Sequence, residues 1–265
     1  MRGHPSIKTT GPTLRGAGPL PLIDPDTGMS SAETVPVWGS EHLERVIDAV
    51  CGARVSVAVM TADVKGMLVP VKRVPARVMG AIRAGEAERR KTVRKRGAGI
   101  GRGDAVAMLE VMGGLARLGV EVRVLHGGVP SRAAWGVMSV SAKGEMGSRP
   151  TDSIRGLQDG AVGVGGGAGG AGGGVVMRRC VRQHAKVVVV DAAAAYIGSA
   201  NLTGAGLGAK ADRNRNFEMG VWTIDAAMVE SALERFNAVW EGGFCDGCGR
   251  RDVCPVPLEE VRLAG

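Results

Sequence analysis

Three short Val-rich runs, each closed by turn-forming residues, restrict the folds open to this chain more than any other feature. Val55 to Met60 (VSVAVM) and Lys186 to Val190 (KVVVV) are apolar at almost every position, and Val120 to Leu125 interposes only Glu121 and Arg123. Such runs suit strands covered on both faces, which requires helices on both sides of a sheet. Helical spacing fills the intervals. Leu43, Val46, Ile47 and Val50 recur behind a candidate N-cap at Ser40, and further helices are expected over Pro75 to Arg96 and Asp104 to Leu118. The latter leads through Gly119 into the strand from Val120, forming an α/β unit. A last helix over Asp225 to Trp240 places Met228, Leu233, Phe236 and Trp240 on a core stripe, and shorter strands are expected around Tyr196 and Ile197 and over Asn216 to Thr223. The expected fold is α/β, a mixed β-sheet flanked by helices as an α-β-α sandwich.

The 265 residues suffice for one such domain, with a core built from Val, Ala, Leu and Ile because aromatic residues make up only 3%. The reading is a flexible tail over 1–35, rich in Pro and Gly, a catalytic domain over 36–244, and a Cys-bearing tail over 245–265. Within the domain, Gly160 to Gly174 is a glycine-rich loop without the strand-then-helix setting of a nucleotide cradle. No apolar run spans a bilayer and no signal core is visible, so the cytoplasm is the expected compartment. A net charge of +8 favours polyanions such as nucleic acid or anionic lipid, or reflects Arg-rich solvated surface. The cluster Arg89, Arg90, Lys91, Arg94, Lys95 and Arg96 has the same two readings, a phosphate-tracking patch or a helix end whose cations complement the helix dipole.

The densest chemistry lies between His184 and Glu218, which reads HAKVVVVD from His184, GSANLT from Gly198 and NFE from Asn216. On an extended strand His184 and Lys186 point the same way, setting an imidazole and an ammonium over one pocket. In-line attack on a phosphodiester needs a nucleophile, donors to the non-bridging oxygens and an acid for the leaving oxygen. His184 is the candidate nucleophile, with Glu218 as the carboxylate fixing its tautomer. Lys186 and the Asn201 amide are the phosphate donors, and Ser199 sits in a glycine-flanked turn that permits close approach.

The ordered set HxKx4D, six residues, GSxN and a downstream Asn-x-Glu resembles the HKD motif of the phospholipase D superfamily. The resemblance implies a covalent phosphohistidine at His184, phosphate binding by Lys186 and Asn201, support from Ser199 and Glu218, an orienting part for Asp191, and no cofactor or metal in catalysis. That mechanism uses two histidines, and this chain has one motif. His4, His42 and His126 begin no second HxK. A symmetric homodimer sharing one site supplies the mate. Single-motif bacterial relatives, including small nucleases and a phospholipase D-like component of phage-defence islands, are similar in size.

Cys245, Cys248 and Cys254 offer three ligands of a structural zinc site, with Cys180 or Cys51 to complete it in space; free thiols are the other reading. The expected function is metal-independent hydrolysis of phosphodiesters, on nucleic acid. Phospholipid headgroup cleavage is the enzymatic alternative, and a non-catalytic nucleic-acid-binding subunit of a defence or repair complex is the alternative from another class.

Overall fold

A computed structural model describes residues 34–92, 104–128, 174–254 and 257–259, with backbone alone at 88–92. The N-terminal stretch up to residue 33, the basic cluster's side chains and the glycine-rich segment before Gly174 lie outside the described residues.

Seven strands form one mixed sheet. They are β1 (Thr34–Trp38), β2 (Ser56–Thr61), β5 (Glu121–His126), β6 (Val175–Arg179), β7 (Lys186–Val190), β8 (Ala194–Gly198) and β9 (Met219–Thr223), in the order β1-β9-β8-β7-β2-β5-β6. β2, β5 and β6 run parallel, whereas β7, β8, β9 and β1 alternate in direction from β2 outward. A two-stranded ribbon pairs β3 (Leu68–Pro70) with β4 (Ala105–Ala107). The helices are α1 (Asp48–Gly52), entered through a π-helical turn at Leu43–Ile47, then α2 (Ala76–Thr92), α3 (Met108–Arg117) and α4 (Ala226–Trp240).

The two-fold alternation of strand side chains divides the core. Val188 and Val190 of β7, with Val57 and Val59 of β2, join Val50 of α1, Val78 and Ile82 of α2, and Met112 and Leu115 of α3. Val187 and Val189 pack with Ala58 and Met60 against Val229, Ala232, Phe236 and Trp240 of α4. The sheet is therefore sandwiched, as the apolar runs require.

Several boundaries move. The chain enters the sheet earlier than 36, since β1 begins at Thr34; Pro36 is tolerated because β1 is an edge strand hydrogen-bonded on one side only. Ala105–Ala107, expected as helix, is strand, and α3 starts at Met108 with Glu110 accepting from the Ala107 amide. Gly119 takes φ +87°, the left-handed conformation that ends α3 and turns the chain into β5. On α4 the buried stripe runs through Val229 and Ala232; Met228 is partly exposed, its sulfur accepting from Thr34 Oγ1 at 3.9 Å. Asp225 caps α4 by accepting the Met228 amide.

Candidate active site

β7 runs antiparallel to β2 with Val187 opposite Met60, so its beginning lies beside the end of β2. Gly198, which ends β8, pairs with Lys186, and the Ser199 amide bonds the Met219 carbonyl at the start of β9. This topology brings the leading end of β7, the trailing end of β8 and the leading end of β9 to one edge of the sheet. His184, Lys186, Ser199, Asn201 and Glu218 arrive there together, although 34 positions separate the first from the last.

His184 is exposed and Lys186 is buried on the face shared with Val188 and Val190. The Lys186 ammonium lies 3.1 Å from His184 Nδ1, 3.2 Å from Nε2 and 2.5 Å from its carbonyl oxygen. An ammonium only donates, so a hydrogen bond between the two groups is accepted by a ring-nitrogen lone pair. Burial lowers the Lys186 pKa, opposed by the negative charges of Glu218 and Asp63. A cation held in this way can release the imidazole and move to a phosphate oxygen over a short distance.

Asn201 is clamped by its carbonyl end. Its Oδ1 accepts from the Ala62 amide at 3.0 Å, the Asp63 amide at 3.2 Å and Thr61 Oγ1 at 3.3 Å. Among the described residues Nδ2 makes no hydrogen bond, which leaves the donating end for a ligand. Thr61 was not legible as a site residue. Its hydroxyl also accepts the Leu202 amide at 3.0 Å and donates to the Asp63 carbonyl, binding the β2 end to the Asn201 loop. Only a contact across 140 positions reveals that role.

Glu218 does not bond the His184 ring, contrary to the expectation from sequence. Its two oxygens accept from Ser199 Oγ and, at 3.0 Å, from Asn216 Nδ2. Ser199 Oγ in turn accepts the Met219 amide at 3.1 Å. Glu218 therefore joins the β8 and β9 ends and places negative charge near Lys186.

Asp191, for which the resemblance implies an orienting part, stands outside the cluster. Lys186 and Asp191 lie at opposite ends of β7, ~17 Å apart at the rise of an extended strand. Its carboxylate accepts the amides of Arg54 (2.9 Å), Val55 (2.7 Å) and Ser56 (2.9 Å). With φ of 53°, it shapes the β7–β8 turn and fastens it to the start of β2.

Behind the site, buried Tyr196 accepts or donates at 3.0 Å with His42 Nε2 and accepts the Ala200 amide at 3.2 Å; burial pushes its phenol up to about 12. Burial lowers the pKa of His42 and of His126, whose Nδ1 faces the Gly128 carbonyl at 2.9 Å. Both are nearly inaccessible.

Cys51 is packed in the main core, and burial pushes its thiol up to about 12. Among the described residues, no three His, Cys, Asp or Glu side chains already converge as a metal-binding group, and no helix is long and apolar enough to cross a membrane.

With this geometry in place, the comparisons fix the class. Residues 104–240, just over half of the chain and including all five clustered residues, match the family described as Cardiolipin synthase, PLD-like domain. The chain belongs to this phospholipase D-like family. Among solved structures it is similar to NucT from Helicobacter pylori, with TM-score 0.39 and 12% identity over 78% of this chain and 94% of that one. It is also similar to Nuc, a phospholipase D family member from Salmonella typhimurium, with TM-score 0.39 and 16% identity over 79% and 95%. A third similarity is to TrmBL2, an archaeal chromatin protein, with TM-score 0.35 and 12% identity over 83% and 55%. No curated protein matches it.

Proposed function

We propose that this protein hydrolyses phosphodiester bonds of nucleic acid through a phosphohistidine at His184, with two copies of the chain sharing one site. The observation that carries the reading is the exposed His184 imidazole with a buried ammonium against its ring nitrogens, beside an Asn201 amide whose donor end has no hydrogen-bond partner among the described residues.

In this mechanism the unprotonated ring nitrogen of His184 attacks phosphorus in line with the leaving oxygen. Lys186 transfers its hydrogen bond from the ring to a non-bridging oxygen, and Asn201 Nδ2 donates to another, meeting charge where the transition state develops it. His184 of the partner subunit gives its proton to the leaving oxygen and then takes one from the water that hydrolyses the phosphohistidine, which restores both rings. Ser199 and Glu218 hold the strand ends, and the Glu218 carboxylate opposes the lowering of the Lys186 pKa by burial.

Two observations support the remaining parts. Trp38, Phe217 and Met219 are exposed beside Glu218, Trp38 pairing with Met219 across β1 and β9, and an apolar rim next to a half-site suits burial against a second copy. The net charge of +8 suits a polyanionic substrate.

The test compares wild type and His184→Ala on labelled DNA, labelled RNA and phosphatidylcholine vesicles without added metal. Wild type is expected to cleave nucleic acid, and the variant to lose cleavage by at least about 10³-fold. Cleavage of phosphatidylcholine alone would transfer the reading to lipid headgroups. Equal inactivity of both proteins on every substrate, with DNA still retained, would make the chain a binding subunit.

A further inference from the structure

Four of the five cysteines face one cavity. Cys180, from the connection between β6 and β7, and Cys245, Cys248 and Cys254, from the segment after α4, line a cavity of about 240 Å³ together with Arg182, Arg235 and Arg251. The family chemistry uses none of these residues.

We infer that these four thiols form a structural zinc site that clamps the C-terminal segment onto the turn feeding His184. The ligand type is set by chemistry: four sulfurs on a tight turn and a neighbouring strand end match a closed tetrahedral site with Zn–S bonds of about 2.3 Å. Cys245-Asp-Gly-Cys248-Gly has the spacing of a metal-binding knuckle and forms a tight turn. The Cys248 amide bonds the Cys245 carbonyl at 3.2 Å, and Gly247 takes φ +63°, a conformation a side chain would strain.

Donors stand around two of the sulfurs. The Arg250 amide and the Arg182 guanidinium both donate to Cys248 Sγ, the latter at 3.6 Å, and the amides of Leu258 and Glu259 point at Cys245 Sγ. Arg182 is within electrostatic reach of Cys180, Cys245 and Cys248 at once. A zinc ion held by four thiolates carries excess negative charge, and three arginines around the cavity balance it. The Glu259 carboxylate, which takes the Cys245 thiol as a donor, is itself paired with Arg251. Binding would release the four thiol protons and require the sulfurs to turn from the cavity wall to a common centre.

The consequence reaches the active site. Cys180 stands four residues before His184, its amide bonded to the His126 carbonyl at 2.9 Å and its carbonyl to the Gln183 amide at 2.9 Å. Gln183 is buried and donates from Nε2 to the Ala185 carbonyl at 2.7 Å. A metal at Cys180 would therefore fix the path of the chain on both sides of the nucleophile.

Metal content decides the matter without reference to activity. Untagged full-length protein, purified without chelator, is expected to show one zinc per chain by elemental analysis and by intact mass under native conditions. Replacement of the zinc by Co²⁺ is expected to give thiolate-to-metal charge-transfer absorption. Cys51→Ala should keep the metal, whereas Cys180→Ser and Cys248→Ser should each lose it or bind it at least about tenfold more weakly. Should the variants fail to fold, the wild-type metal content and cobalt spectrum stand alone as the test. Folded wild type without zinc overturns the inference, as does undiminished zinc in folded Cys180→Ser.

Discussion

The residues gathered at the strand ends divide into those that can touch a phosphate and those that hold them, and Asp191 falls in neither group. A carboxylate accepting three backbone amides at the far end of β7 is an anchor for the β7–β8 turn. Asp191→Ala is expected to lower unfolding free energy by about 1–2 kcal/mol while leaving turnover per folded molecule unchanged. Asp191→Asn, which tolerates φ of 53° and keeps an acceptor, should lose less. Denaturant titration alongside activity checks this, and a collapse of turnover at unchanged stability would return Asp191 to the chemistry. Buried His42 and His126 make a prediction for pH. Burial depresses both pKa values, so the unfolded chain binds more protons than the folded one below the ordinary imidazole pKa. Stability should therefore hold above about pH 6.5 and fall as pH drops below it. His126→Asn, whose amide can still face the Gly128 carbonyl, should flatten that slope in denaturation series run from neutral to mildly acidic pH; an unchanged slope would show that His126 already titrates normally.

At the level of elements, the site depends on how closely β8 and β9 pack around Tyr196. A Cβ at Gly220 would lie 2.4 Å from Tyr196 Cε2 and 2.8 Å from the Ile197 carbonyl oxygen. Gly220→Ala should cost about 1–3 kcal/mol and, by displacing the strand that follows Glu218, reduce turnover as well. Gly80→Ala on the exposed face of α2 meets nothing within 4 Å and should instead stabilise by about 0.5–1 kcal/mol. Thermal melts and initial rates on both variants separate the two effects. The same packing explains which elements could be read in advance. β2 and β7 announce themselves because they are buried on both faces and apolar at almost every position, and β5 because only Glu121 and Arg123 interrupt its apolar run. β1, with Pro36, and the three-residue strands β3 and β4 have too few side chains to show a period, and Ala105–Ala107 is drawn into a strand by Leu68–Pro70 against its helical appearance. In the candidate site, spacing along the chain singles out His184, Lys186, Ser199, Asn201 and Glu218, and the structure brings these candidates to one end of the sheet. Thr61 and the true partners of Glu218 were not legible in this way, because hydrogen bonds across the sheet leave no mark on local sequence.

Over the whole molecule, the sheet brings His184, Lys186 and the clamped Asn201 amide to the same end of neighbouring strands, with an exposed apolar rim beside them. On the proposed mechanism this end is half of a site for in-line phosphodiester chemistry, which a second copy would complete. The C-terminal cysteines and the turn before His184 would add a metal clamp at the same end of the molecule, independent of the reaction itself. The central claim is that phosphorus passes through His184, and trapping that intermediate tests it most directly. Full-length protein is mixed briefly with an oligonucleotide labelled at the scissile phosphate, quenched in alkali, where phosphohistidine survives, and mapped by peptide mass spectrometry. Label on His184, absent from His184→Ala and discharged on longer incubation, is the predicted result. Cleavage by wild type with no label on His184, or with label on another residue, would contradict it.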